Sequence, residues 1–110
     1  MPKGDFLGEF ELYVMLALAQ LGPEAYGITI RQQIEERAAR DVAIGAVYAT
    51  LARLQEKDLV RYELSPPMPV QGGRARKLFR LTAAGERALA HSTAMLARMM
   101  QGWRARTEDL

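Results

Sequence analysis

At Asp58 the spacing of apolar residues along the chain changes from one helical turn to one strand repeat. Upstream, GAVYATLARLQEKD sets Val47, Leu51 and Leu54 on one side of a helical wheel. Downstream, in LVRYEL, Val60, Tyr62 and Leu64 alternate with Arg61 and Glu63, which is the pattern of a strand with two unlike faces. A helix that runs directly into a strand points to a mixed, mainly helical fold. The text on either side fixes which one.

SPPMPVQGGRAR, after the strand, holds three prolines and two glycines, too many for regular structure. KLFRLT then resumes a strand, so the pair reads as a hairpin with a long, basic tip. Before it, FLGEFELYVMLALAQLG is apolar round most of its wheel and predicts a buried helix that Gly22 and Pro23 stop. A second helix, roughly Ala25 to Ala39, places Ile30, Ile34 and Ala38 at steps of four, with Glu35 and Glu36 as a solvated pair on its wet side. After the hairpin, Thr82 caps a final helix that the pattern continues to about Arg106. Along it Leu89, Ser92, Leu96, Met99 and Trp103 recur at steps of three and four, a heptad-like seam. Helix, helix, helix, hairpin, long helix is the order of a winged helix-turn-helix over residues 1–81. The helix of 82–110 continues the same domain and serves dimerisation.

The 110 residues, 49% of them hydrophobic, allow one small core that gains from a partner subunit. There is no cysteine, so disulfides, thiolate metal sites and cysteine nucleophiles are excluded. The densest apolar run, Leu12 to Leu21, falls well short of the ~20 residues a bilayer needs, and no signal sequence opens the chain, so a soluble cytoplasmic protein is expected. His91 is the one histidine and has no second ligand at helical spacing. No phosphate-cradling glycine motif or nucleophile with its base appears. These absences predict neither enzyme, metal nor cofactor.

Charge is unevenly spread. Residues 1–63 carry 7 basic and 10 acidic side chains, whereas residues 64–110 carry 8 and 3, which concentrates a positive field in the second half. No acid lies between Glu63 and Glu86 to neutralise Arg74, Arg76, Lys77 and Arg80. At a hairpin tip such a run can follow a groove edge and touch phosphate, Arg74 and Arg76 foremost. The third helix supplies the complementary feature. Its outer face carries Gly45, Ala49, Ala52 and Glu56 and is small, with Tyr48 and Arg53 beside it. A helix that enters a major groove must bring its backbone close to base edges, so small residues there permit depth while a few long ones read or anchor. Arg53 has a plainer reading as an ion-pair partner for Glu56, three residues on.

Four stretches together resemble the PadR family of bacterial transcriptional regulators: AYGITIRQQI, AVYATLARLQEKDLV, the Gly-Gly-Arg hairpin and RKLFRLTAAGERAL. The likeness covers nearly the whole chain. It implies that Tyr48 contacts the DNA backbone, and it sets Tyr26 with the DNA-binding group formed by Gly45, Ala46, Tyr48, Ala49, Arg53, Arg74, Arg76 and Lys77. The single C-terminal helix is similar to the short subgroup, in which it crosses to the partner of a homodimer. That implies dimer contacts at Phe6, Phe10, Leu89, Leu96, Met99 and Trp103. Relatives bind flat effectors at this interface, which would place one on Met95, Met99 and Trp103. The family's Ser, Pro and Thr positions around its tyrosine hold Ala43, Ile44, Ala46 and Ala49. Either backbone groups replace the missing hydroxyls or a different sequence is read. Asp58 stands where glycine is common and suits a left-handed backbone better than most residues.

The expected function is a homodimeric, sequence-specific DNA-binding regulator, a repressor on an inverted-repeat operator that a small aromatic or lipophilic effector releases. The alternative is a winged-helix module that binds protein without reading sequence.

Overall fold

The computed structural model describes residues 7–66 and 75–105. Helix α1 (Glu9–Leu21) begins where the Glu11 carboxylate turns back to accept the Gly8 N–H at 2.9 Å, satisfying a donor that a helix start leaves open. It stops at Gly22, whose N–H still donates to the Leu18 carbonyl but whose φ of 55° turns the following chain out of the helix. Pro23 follows in a short 3-10 turn, Gly22–Glu24. Helix α2 (Gly27–Ala38) opens in the same manner, with the Tyr26 N–H donating to Thr29 Oγ1 at 2.9 Å. Helix α3 (Ile44–Glu56) closes through Asp58 at φ 61°, and the Leu59 N–H reaches the Leu54 carbonyl at 2.9 Å. This is the left-handed C-terminal motif usually given to glycine.

Strands β1 (Val60–Leu64) and β2 (Lys77–Leu81) are antiparallel, with Val60 opposite Leu81 and Leu64 opposite Lys77. The Phe79 N–H donates to the Ala25 carbonyl at 2.9 Å and so ties the hairpin to the α1–α2 connection. Phe79, Met15, Ile30, Val14, Val47, Leu51 and Leu54 are almost fully buried and form the centre of the core. The period-2 alternation of β1 buries less than its pattern suggests. Val60 is buried, but Tyr62 and Leu64 are 40% and 64% exposed, because β2 is the strand that lies against α1 and α2.

Helix α4 (Ala83–Met100) is capped as expected, Thr82 Oγ1 accepting the Gly85 N–H at 2.9 Å. It is also fastened to the turn before β1. The Thr82 N–H donates to the Leu59 carbonyl at 3.0 Å and its hydroxyl to the Asp58 carbonyl at 2.7 Å. Gly85 is buried there, with no room for a side chain: a Cβ would overlap the Leu59 carbonyl oxygen. The helix is shorter than its apolar seam implies. It ends at Met100, not near Arg106, since Gln101 is extended and Gly102 takes φ 84°. Trp103 therefore follows the helix and does not continue the seam.

Two acids do more than solvate a surface. Glu35 is half-buried and accepts the Val42 N–H at 3.0 Å, bracing the turn between α2 and α3, and it pairs with Arg31 at 3.9 Å. The expectation of a solvated Glu35–Glu36 pair holds only for Glu36. Glu11, 8% exposed, links α1 to α3 through Lys57 Nζ at 3.0 Å. Burial pushes its carboxyl up, but the Gly8 N–H, the Lys57 hydrogen bond and the charges of Lys57 and Arg53 outweigh that and hold it below the usual glutamate value. A carboxyl lowered by folding contributes stability above its unfolded pKa, about 4.3, and loses it as pH falls through the folded value. Thermal melts from about pH 4.3 downward are expected to show a smaller loss of stability in Glu11→Gln than in the wild type.

Candidate nucleic-acid interface

The outer face of α3 is as the sequence predicts. Val47, Thr50, Leu51 and Leu54 are buried, while Gly45, Ala46, Ala49 and Ala52 are exposed. The helix thus presents backbone and methyl groups to solvent over two turns. Tyr48, 44% exposed, stands at the edge of this surface. The hydroxyl end of its ring lies against the start of α2, and a Cβ on Gly27 would overlap Tyr48 Cζ and Oη. Glycine after Tyr26 is thus what lets the phenol pack there, and its hydroxyl is held beside the first turn of α2.

Tyr26 is half-buried and joins the wing to this corner. The Arg76 guanidinium lies over its ring at 5.4 Å, a cation–π contact. The base of the wing is closed by Ser65, whose N–H donates to the Arg76 carbonyl at 2.8 Å and whose Oγ accepts the Arg76 N–H at 3.0 Å. Tyr48 thus packs on Gly27 and Arg76 on the adjacent Tyr26, although Tyr26, Tyr48 and Arg76 are far apart in sequence. Lys77 turns toward β1, its ammonium 4.5 Å from the Tyr62 ring centroid. Arg80 is not left without an acid, as the charge run suggested: it pairs with Glu63 at 3.6 Å, because the hairpin register sets the two on diagonal positions. Arg74, expected at the wing tip, lies outside the described residues.

Arg53 is on the exposed side of α3, near the first turn of α1. Its acid is Glu11, with Nε at 4.0 Å from the carboxylate, in place of the Glu56 partner that helical spacing suggested. Its other hold is Thr50, whose Oγ1 accepts from Arg53 Nη2 at 3.1 Å. Thr50 and Glu11 were not among the sequence candidates. Thr50 is legible as a hydroxyl one turn before an arginine, whereas Glu11 is 42 positions away from Arg53 and gives no local signal.

The residues expected at a dimer contact divide into two groups. Leu89 is half-buried against the core and Phe10 is half-buried beneath the Arg40 guanidinium, 5.4 Å from its ring centroid. Met95, Leu96, Met99 and Trp103 are 36%, 50%, 80% and 63% exposed. Phe6 lies outside the described residues. A groove of about 240 Å³ between α1 and α2, bounded by Tyr13, Leu16, Ile34 and Ala38 among others, adds to the open apolar surface. Among the described residues no helix is long and apolar enough to cross a membrane.

Three helices followed by a two-stranded wing, with a small-faced third helix, define a winged helix-turn-helix of the nucleic-acid-binding class. Residues 15–91 match the profile of the transcriptional regulator PadR-like family. The chain belongs to that family, whose members are DNA-binding transcription regulators and not enzymes. Solved structures agree. A PadR-like transcription factor from Bacteroides fragilis is 33% identical, with 82% of each chain covered and a TM-score of 0.66. A PadR family transcription regulator from Clostridium difficile is 25% identical over 84% of this chain and 95% of its own, with a TM-score of 0.68. One from Eggerthella lenta is 28% identical over 84% and 82%, with a TM-score of 0.63. No curated protein matches the chain significantly.

Proposed function

We propose that the chain is a cytoplasmic, homodimeric repressor that reads an inverted-repeat operator. Each subunit puts α3 in a major groove and lays its wing along the flanking phosphates. The observation that carries this reading is the exposed face of Gly45, Ala46 and Ala49, bordered by Tyr48 and Arg53, with Arg76 at the base of the wing. Dimerisation is supported by the apolar groups of α4 and Trp103, which the single subunit leaves open to water and a second copy would cover. Met95, Met99 and Trp103 supply adaptable and aromatic surface for a small aromatic or lipophilic effector. Such a ligand acts by changing the spacing of the two reading helices, since a two-fold reader loses contacts on both half-sites at once.

A salt titration on duplexes selected from a random pool tests the reading. Affinity must fall steeply with ionic strength, and Arg76→Ala is expected to lower the slope of log K against log salt by about 1, as one lost phosphate contact does. Arg74→Ala is expected to do the same. One observation favours a second reading as a protein-binding module: Arg76, Lys77 and Arg80 are already engaged by Tyr26, Tyr62 and Glu63. Under that reading no duplex is selected and neither substitution has a slope to change.

A further inference from the structure

The Arg53 guanidinium is held from two sides by groups that do not belong to the exposed face of α3. Thr50 Oγ1 takes Nη2 at 3.1 Å, and the Glu11 carboxylate stands 4.0 Å from Nε. Both groups are themselves fixed. Thr50 is 2% exposed, and Glu11, 8% exposed, is anchored by the Gly8 N–H at 2.9 Å and Lys57 Nζ at 3.0 Å. Arg53 keeps 56% of its side chain open to solvent. The held edges leave Nη1 and part of Nη2 available, and a guanidinium reads a base edge with such a pair of N–H groups.

We propose that Glu11, a residue of α1, is a specificity-determining positioning residue for Arg53, acting together with Thr50. The inference rests on the reading that α3 enters the major groove. The carboxylate has two physical effects, one on selectivity and one on overall affinity. Holding the arginine in one orientation reduces the side-chain freedom lost when it meets its base, which favours the operator. Offsetting the charges of Arg53 and Lys57 weakens their attraction to phosphates of any sequence, operator and random alike, and so lowers affinity without changing selectivity. Loss of the carboxylate charge therefore weakens operator binding relative to random binding.

The test is a double-mutant cycle on the wild-type operator and on operators changed one base pair at a time. Arg53→Ala identifies the base pair that Arg53 reads, as the position where discrimination collapses. Glu11→Gln, which keeps an acceptor for the Gly8 N–H, is expected to lose about tenfold in discrimination at that same base pair and to steepen the salt dependence on random duplex. In the Arg53→Ala background it is expected to cause no further loss there. Thr50→Val, similar in shape, is expected to repeat the loss, which guards against a Glu11 variant that folds poorly. Discrimination that falls evenly at every base pair, or falls equally with and without Arg53, makes Glu11 merely structural and overturns the proposal. Wild-type selectivity that Glu11→Gln leaves untouched overturns it as well. A wild type that selects no operator defeats the groove reading first, and is distinguished from those results by the wild-type measurement alone.

Discussion

Gly85→Ala is expected to destabilise the fold by about 2 kcal/mol, although helix propensity alone predicts the opposite. Exchanging glycine for alanine within a helix gains about 1 kcal/mol in the absence of other contacts. Here the new methyl would occupy the position of the Leu59 carbonyl oxygen, with the Leu59 carbonyl carbon at 2.9 Å and its Cα at 3.3 Å. Those atoms are backbone and cannot swing aside as a side chain would. The Leu59 carbonyl also receives the Thr82 N–H, so a shift breaks the joint between α4 and the turn before β1. Overpacking of this kind costs up to about 3 kcal/mol and occasionally more, which exceeds the propensity gain. In a domain of this size each kcal/mol moves the midpoint by about 4–8 °C, so a net loss of about 2 kcal/mol lowers Tm by roughly 8–16 °C. A rise in Tm would mean that α4 does not sit on Leu59 as described.

The sequence disclosed the features that repeat locally. The turn at Gly22-Pro23, the spacing of Ile30 and Ile34, the stripe of Val47, Leu51 and Leu54, the change of period at Asp58 and the cap at Thr82 each follow from rules that act over a few residues. Together they determined the winged fold and the small outer face of α3. What stayed hidden depends on contacts between distant segments. Gly27 was visible only as part of a Tyr-Gly pair, and its reason, the ring of Tyr48 lying on it, requires the packing of α2 on α3. Gly85 gave no sign that Leu59 would press on it. Glu11 resembled any acid in a first helical turn, yet it is the partner of Lys57 and Arg53. The pairing of Arg80 with Glu63 needed the hairpin register, which a long proline-rich connection does not specify. The end of α4 is not legible from its seam, because an apolar spacing can persist in sequence after Gly102 has turned the backbone.

These hidden contacts bear on the proposed reading head as much as on the fold. Tyr48 is set by Gly27, Arg53 by Thr50 and Glu11, and Arg76 by Tyr26, so each long side chain beside the small-faced helix has a named support. The methyl and glycine positions have no such partner, and their value lies in the bulk they lack. A single added side chain can test that.

Ala49→Leu is that measurement, read as affinity for a selected operator beside the thermal midpoint of the same protein. Ala49 is exposed at the centre of the outer face, and leucine is a good helix former, so stability is expected to change by less than about 0.5 kcal/mol. A helix held away from the base edges forfeits contacts worth about 1–3 kcal/mol each. Affinity is therefore expected to fall at least a hundredfold, about 2.7 kcal/mol, with the fold intact. Operator binding that survives both Ala49→Leu and Ala46→Leu within about threefold would contradict the insertion of α3 into the groove.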